Sequence, residues 1–274
     1  MDYWTNWKIK FFKDLKVRFE ALEKSLSIII QGPLHERMRE SVPIYLDIIN
    51  NSKCSSAGNL VISHWNNDKK NILDGIPRAK EATIIENSIE EVRVPEMHDN
   101  SRGPNPWVYQ NYTTLKGLER ATGWFAIKVR SDEIYPNLNI FHERLLELAE
   151  EEIFHKTITS DIFFRVDSQE KFHPSDHIIA GKKEKLKRAF ALSTSICRSL
   201  KPGQFKFPEQ IICHAILKSM NIEPKPYKSK KIMQENFEII PLSRMTDAVW
   251  TCSERKYNKL QASMAGWCSD IRRI

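Results

Sequence analysis

The sequence lacks the cysteine patterns that mark zinc sites and disulfide frameworks. Its five cysteines among 274 residues are scattered, odd in number and never spaced as CxxC. This usage is typical of reduced thiols in a reducing compartment. Residues 1–24 are charged throughout, unlike a signal peptide, and no apolar run approaches the length of a transmembrane helix. These absences predict a cytoplasmic protein.

Several familiar catalytic and cofactor motifs are also missing. The chain has no GxxxxGK[ST] phosphate loop, no GxGxxG after a strand, no GxSxG elbow and no HExxH. Any phosphate group must therefore be held in another way. The usual substitute is a divalent metal bound by a carboxylate at a strand end, because Mg²⁺ and Mn²⁺ prefer hard oxygen ligands and a diphosphate supplies several.

Acidic residues are outnumbered, which gives a formal net charge of +7. Residues 182–201 contain seven Lys or Arg and one acid, and residues 225–274 contain ten and five. Such a balance favours a phosphate-bearing partner, namely a nucleotide, a nucleic acid or an anionic membrane surface. Solvated helix faces would explain the same charges.

The first 24 residues combine aromatic and basic side chains. Trp4, Trp7, Phe11 and Leu15 fall on one face of a predicted helix, among lysines and an arginine. Such an amphipathic helix could lie on a membrane surface. The alternative is that its apolar stripe packs on its own domain.

Short apolar segments alternate with helical patterns along the middle of the chain. Buried strands are predicted at 25–34, 57–65, 81–87, 124–133 and 156–166, and helices at 35–49, 105–123, 141–150, 182–192 and 208–220. Gly123 has the position of a helix C-terminal glycine. The alternation predicts a single-domain α/β fold, with a mostly parallel sheet flanked by helices. Ligands of such sheets bind beyond the carboxyl ends of the strands.

The segment WFAIKVRSDE, residues 124–133, ends a predicted buried strand in Asp132 and Glu133, after Arg130. Adjacent carboxylates repel each other and attract a cation, so Asp132 is a candidate metal ligand. The alternative is that the acid pair caps the turn or forms an ion pair with Arg130.

The segment FHPSDH places His173, Asp176 and His177 within five residues. Imidazoles and a carboxylate in one loop suit metal ligation or proton transfer. The segment could also simply cap a turn.

Glu209 lies in the first turn of a helix that Pro208 begins. The helix dipole keeps a carboxylate ionised there, and an ionised carboxylate can act as general base toward a sugar hydroxyl. Dipole stabilisation of the helix alone is the alternative explanation.

Six motifs occur in order between about residues 26 and 220: SIIIQGPL, NLVISHW, PWVYQNYTTLKGLERATG, AIKVRSDE, FHPSDHIIAG and PEQ. This series resembles the WavE-type lipopolysaccharide-synthesis family, which consists of sugar transferases related in architecture to the GT-A glycosyltransferases. The resemblance implies a GT-A-like, Rossmann-like fold. It also implies transfer of a sugar from a nucleotide-sugar donor to a hydroxyl of a growing glycan, such as lipopolysaccharide or a similar surface polysaccharide. The expected layout is an amphipathic helix (1–24), the GT-A-like domain (25–224) and a basic extension packed on it (225–274).

The resemblance also implies a donor site built from strand ends and one helix. The implied donor-binding residues are Gln31, Gly32, Ser63, His64, Trp65, Asn111, Arg130, Ser131, Asp132 and Glu133. RSDE has the position of the DxD motif, whose aspartates bind the metal and the donor diphosphate, but Arg130 replaces the first aspartate. Asp132 with His173 would hold Mn²⁺ or Mg²⁺. Alternatively, Arg130 and the basic helix from residue 182 would neutralise the diphosphate without a metal. Asp176 and Glu209 are the two candidates for the catalytic base.

Two functions from other classes remain open at this point. One is a metal-dependent nuclease or nucleotidyltransferase, although few well-separated acids follow the predicted strands. The other is a catalytically silent module that binds a nucleotide sugar, because RSDE departs from DxD. The expected partners are a nucleotide-sugar donor, a glycan or glycolipid acceptor and a membrane surface, without nucleic acid.

Overall fold

A computed structural model describes eight parts of the chain: residues 25–52, 57–68, 70–92, 106–162, 164, 171–201, 204–205 and 207–250. The predicted helix at 1–24 lies outside the described residues, as do residues 251–274 of the predicted extension. No helix in the described part is long and apolar enough to cross a membrane.

Within these described ranges, seven strands form one mixed sheet in the order β3-β2-β1-β4-β6-β5-β7. The strands are β1 (Leu26–Gln31), β2 (Leu60–Trp65), β3 (Thr83–Asn87), β4 (Phe125–Arg130), β5 (Thr157–Ser160), β6 (Ile179–Lys182) and β7 (Phe237–Ile240). All neighbours pair in parallel except β6, which is antiparallel to both β4 and β5. The predicted single-domain α/β fold with a mostly parallel sheet is confirmed.

Helices cover both faces of this sheet. They are α1 (Met38–Asn50), α2 (Lys70–Asp74), α3 (Pro106–Arg120), α4 (Asn139–Glu150), α5 (Lys183–Arg198), α6 (Pro208–Ser219) and α7 (Ser229–Asn236). The central strand β1 shows why two layers are needed, because every one of its residues is buried. Ile28 and Ile30 pack toward α1 and α4, whereas Ile29 packs toward α3, α5 and α6. Strands buried on both faces are near-continuous apolar runs, which explains why β1 was predictable.

Two glycines are required by close approach of the backbone. Gly123 follows α3 as predicted, but a left-handed helix cap is not the reason. A Cβ there would lie 2.6 Å from the amide nitrogen of Ser27 in β1. Gly32, directly after β1, has a φ of +118°, and its Cβ would lie 2.9 Å from Ser131 Oγ. Glycine is the residue that tolerates both the angle and the crowding.

The sequence patterns predict neither β6 nor β7, and β6 changes the topology. Because β6 is antiparallel to β4, Ile179 lies opposite Lys128 and Lys182 lies opposite Phe125. The loop before β6 therefore reaches the carboxyl edge of β4, whereas α5 begins at the opposite edge. β7 belongs to the segment predicted as an extension, yet it pairs with β5 in the same sheet.

Candidate active site

The carboxyl ends of β1, β2 and β4 form one continuous edge. Gln31 is in register with both Ser63 and Arg130. Just beyond the strands, the amide of Gly32 donates to the Ser63 carbonyl at 3.2 Å, and the amide of Ser131 donates to the Gln31 carbonyl at 3.0 Å. These bonds bring five of the predicted donor-binding residues together where α/β sheets bind ligands.

The loop before β6 joins this edge from the next strand position. Lys128, buried in β4, donates its ammonium group to the main-chain carbonyl of Asp176. Gln110 of α3 donates from Nε2 to Asp176 Oδ2 at 2.6 Å. Asp176 is thus fixed between a strand and a helix, close to the end of β4.

Asp132 and Arg130 form a two-bond ion pair at the edge. Arg130 Nε and Nη2 each lie 3.0 Å from one Asp132 carboxylate oxygen. The two side chains are 31% and 23% exposed, so the pair faces solvent in part. Arg37, which precedes α1, adds a bond from Nη1 to the Asp132 carbonyl at 2.6 Å. The ion pair that the sequence left as an alternative is therefore present.

Glu133 points into the protein, in contrast to the donor contact predicted for it. It is fully buried, accepts from His177 Nδ1 at 2.5 Å through Oε1 and accepts from Tyr135 at 2.7 Å through Oε2. Burial raises the pKa of Glu133, but the charge and hydrogen bond of His177 lower it further, with Arg130 assisting, to about 2. The physical reason is strand-end geometry: Asp132 stays at the surface while the next side chain enters the core. Glu133 orients His177.

Electrostatic forces also hold Asp176 ionised. Burial raises the pKa of Asp176, but His177, Lys128 and Arg130 outweigh burial and keep that pKa well below its usual range. Burial lowers the pKa of Lys128 to about 8, partly offset by Asp176. His177 Nε2 lies 3.9 Å from Asp176 Oδ1. Glu133, His177 and Asp176 therefore form one buried polar network behind the exposed ion pair.

Glu209 and His173 lie next to each other. Glu209 is in the first turn of α6, which begins at Pro208 as predicted, and its Oε2 lies 3.6 Å from His173 Nε2. The His173 ring also contacts Phe207, with centroids 5.1 Å apart. The structure thus pairs the predicted base with the predicted histidine ligand.

The side chains at this edge do not form a ready metal site. Both carboxylate oxygens of Asp132 face Arg130, and both oxygens of Glu133 face His177 or Tyr135. Among the residues that the structure describes, no group of three or more histidine, cysteine, aspartate or glutamate side chains is arranged to hold a metal ion. A metal on Asp132 would have to displace Arg130. The metal role of Asp132 and His173 stays a prediction that these contacts do not support.

Asn111 was predicted to contact the donor, and the structure gives it another role. It is fully buried, donates to the Trp107 carbonyl at 2.6 Å and accepts from Ser193 at 2.7 Å. Both ends of its amide are therefore used inside the pair of α3 and α5. Asn111 fastens these helices together.

The end of β2 is also tied into the protein. Ser63 Oγ accepts from Asn87 at 3.0 Å, and His64 Nδ1 lies 3.4 Å from Asp68 Oδ2. Trp65 stacks on Tyr112 of α3, with ring centroids 6.1 Å apart. All three β2 residues are buried. These three residues lie at the carboxyl end of β2, and their contact with the donor remains a prediction.

The lysines of the basic helix lie at the opposite edge of the sheet. The amide of Lys183 donates to the Trp124 carbonyl, just before β4 begins. Lys185 donates to the carbonyls of His155 and Lys156 at 2.9 and 2.6 Å. The lysines at the start of this helix therefore do not reach Arg130, because an antiparallel β6 carries them to the far end of β4. Arg198, at the other end of the helix, lies over the Tyr112 ring at 5.9 Å, so a contribution of the helix to diphosphate binding stays a prediction.

Three residues of this site received no role from the sequence: Arg37, Gln110 and Lys128. Lys128 had a detectable signal, since a lysine within an apolar strand is costly unless its ammonium group has a partner. His177 was noticed in its loop, but its partner Glu133 lies 44 positions away. Arg37 follows the Gly32–Pro33 turn after β1, where an arginine is an ordinary loop residue. No local pattern reveals those contacts.

Comparison with known proteins gives a fold-level likeness. No family model and no curated protein sequence matches the chain. Glucosyl-3-phosphoglycerate synthase from Mycobacterium tuberculosis, solved with Mn²⁺, uridine diphosphate and phosphoglyceric acid, is 12% identical with a TM-score of 0.45, over 88% of this chain and 75% of that chain. The same synthase with Mg²⁺ and uridine diphosphate is 11% identical with a TM-score of 0.45, over 90% and 79%. At these values the likeness does not assign a family, and the resemblance to WavE-type proteins stays a prediction.

Proposed function

We propose that this protein is a glycosyltransferase that moves a sugar from a nucleotide-sugar donor to a hydroxyl of a growing glycan. The observation that carries the proposal is the cluster at the carboxyl edge of β1 and β4. At this edge the Arg130–Asp132 ion pair is partly exposed, and the network of Glu133, His177 and Asp176 next to it is buried. Ligands of α/β sheets bind at this edge.

The donor diphosphate fits the exposed part of the cluster. Negative charge develops on the diphosphate as the sugar leaves, and preorganised cationic donors stabilise such charge. Arg130 is positioned for this task at the end of β4, with its guanidinium oriented by Asp132. Gly32 has no Cβ, so the backbone at the end of β1 can lie close to Ser131. Gln31, whose Oε1 accepts from Thr113, lies beside it.

Glu209 suits the role of base better than Asp176. Proton transfer is efficient when the pKa of the base is not far below the working pH. The pKa of Asp176 is held well below its usual range, and its Oδ2 is occupied by Gln110. In an inverting transfer, the acceptor oxygen attacks the anomeric carbon, its proton moves to Glu209, and the bond to the diphosphate breaks. Asp176 positions the loop that carries His173.

The proposals for the acceptor and for the cellular location rest on the sequence. The resemblance to WavE-type proteins supports a glycan or glycolipid acceptor, such as lipopolysaccharide or another surface polysaccharide, and transfer of a hexose or a pentose. Cysteine usage supports a cytoplasmic enzyme. The aromatic and basic residues before Ser25 support a peripheral position at a membrane.

The other two functions make different demands on the site. A nuclease needs acids that share metal ions, whereas Asp132 faces Arg130, and Glu133 and Asp176 both face His177. A silent module would bind a nucleotide sugar without consuming it. Turnover therefore separates the silent module from the transferase.

A thermal-shift screen of nucleotide sugars, with and without Mn²⁺, tests the proposal. A ligand at a hundred times its dissociation constant adds about 2.7 kcal/mol to the free energy of unfolding. We expect at least one nucleotide sugar to raise the melting temperature of the wild type. Stabilisation by oligonucleotides, with no response to any nucleotide sugar, would favour the nuclease.

A further inference from the structure

Two arginines from separate segments converge on one residue at the carboxyl edge. Arg130 holds the Asp132 carboxylate through two bonds, and Arg37 holds its main-chain carbonyl through Nη1 at 2.6 Å. Arg37 follows β1, and Arg130 ends β4. The bond between the Ser131 amide and the Gln31 carbonyl joins the two strand ends. The arginines are therefore placed by the sheet itself.

The geometry leaves hydrogen-bonding capacity on both side chains. A guanidinium group carries five N–H donors in a rigid fork. In the described part of the chain, Arg130 uses Nε and Nη2 on Asp132, and Arg37 uses Nη1. Guanidinium forks match the oxygens of phosphate groups and bind them through paired hydrogen bonds.

The same geometry opposes a divalent cation on Asp132. Its two carboxylate oxygens already face Arg130, and Arg37 brings a second positive charge to the same residue. Like charges a few ångströms apart repel strongly where water is partly excluded. A diphosphate, by contrast, is attracted by both guanidinium groups. The anion is therefore the better partner for this part of the edge.

We propose that Arg37 and Arg130 form a two-arginine clamp that binds the diphosphate of the donor without a divalent metal. This inference rests on the proposed glycosyltransferase function and names the groups that hold its donor. Asp132 then acts as a positioning residue that orients Arg130.

Titration calorimetry with nucleoside diphosphates tests the clamp. UDP, GDP, CDP and ADP are titrated into the full chain, first with EDTA and then with Mn²⁺. We expect at least one of them to bind the wild type with dissociation constants that agree within about twofold in the two buffers. Loss of one charge-assisted hydrogen-bonding group weakens binding by about tenfold to a hundredfold, so we expect this for Arg37→Gln and for Arg130→Gln.

Arg39→Gln is the matched control, because Arg39 lies two residues from Arg37. Its side chain is 53% exposed and pairs with Glu36 at 3.0 Å. We expect its affinity to equal that of the wild type. Arg37→Lys and Arg130→Lys keep the charge without the fork. These variants remain informative if a glutamine variant fails to fold, and we expect affinities between those of the wild type and the glutamine variants.

Three results would overturn the clamp. Binding that requires Mn²⁺, with Arg37→Gln equal to Arg39→Gln, would show that a metal holds the diphosphate and would leave the proposed function intact. Lysine variants that bind as tightly as the wild type would show that charge alone suffices. If neither nucleoside diphosphates nor nucleotide sugars bind in either buffer, the clamp and the proposed function both fail.

Discussion

Replacing Glu133 with Gln tests the buried network most severely. The carboxylate of Glu133 is fully buried and accepts from His177 and Tyr135. Its pKa falls from 4.5 to about 2 on folding. At about 1.4 kcal/mol per pKa unit, ionised Glu133 contributes roughly 3 kcal/mol to the free energy of unfolding at pH 7. Removing one partner of a buried pair typically costs about 3–5 kcal/mol, which is of similar size.

The sign of the pH dependence follows from the lowered pKa. The contribution is complete above about pH 4.5 and is lost as the pH falls through about 2. Urea unfolding of the wild type and of Glu133→Gln should therefore differ by roughly 3 kcal/mol at pH 7 and by roughly 2 kcal/mol less at pH 3. For a chain of this length the melting temperature should fall by about 6–12 °C at pH 7.

Glu119→Gln is the control for loss of one carboxylate charge. Glu119 is exposed and pairs with Lys116 at 3.3 Å, and such surface pairs contribute about 0–1 kcal/mol. The reasoning is refuted if Glu133→Gln is as stable as Glu119→Gln at pH 7. A stability difference from the wild type that stays constant between pH 7 and pH 3 would refute the ionised state of Glu133.

Three other predictions concern the base, the buried lysine and the turn after β1. Glu209→Gln should lower turnover by a factor of about 10² to 10⁴ with donor affinity unchanged, whereas Asp176→Asn should also weaken donor binding. Normal turnover of Glu209→Gln, together with no turnover of Asp176→Asn, would make Asp176 the base instead. Burial lowers the pKa of Lys128 to about 8. The free energy of unfolding of the wild type, measured in urea, should therefore rise by about 3 kcal/mol relative to that of Lys128→Met between pH 8 and 10.5. Equal changes of the two free energies with pH would contradict this. Gly32→Ala should lower the free energy of unfolding by about 1–3 kcal/mol, because alanine is strained at a φ of +118° and crowds Ser131 Oγ. An unchanged free energy of unfolding would show that the turn relaxes.

The strands that carry the site were predictable because their burial leaves a local trace. β1 and β4 are apolar runs that end abruptly in polar residues, so their carboxyl ends could be located and Gln31 and Arg130 assigned to one edge. β6 leaves no such trace. Its four residues, IAGK, include a glycine and a lysine, and pairing with β4 and β5 makes them a strand. The misplacement of the lysines at the start of α5 follows directly from that omission.

The roles of individual side chains depended on contacts that no local pattern contains. Asp132 and Glu133 are adjacent and chemically alike, yet one faces solvent in part and the other enters the core. Asn111 lies on the predicted helix, but its buried partner Ser193 is 82 positions away. Period and spacing identify an edge where ligands bind, whereas packing decides which polar side chains line it and which hold the protein together.

Release of nucleoside diphosphate from nucleotide sugars, with water in place of the glycan acceptor, tests the central claim most directly. We expect the full chain to consume at least one nucleotide sugar, and Arg130→Gln to slow that release by a factor of about 10² to 10³ relative to the wild type and Arg39→Gln. Donor binding without release would identify a silent module. Release at equal rates by the wild type and Arg130→Gln would contradict an active site at the carboxyl edge of β1 and β4.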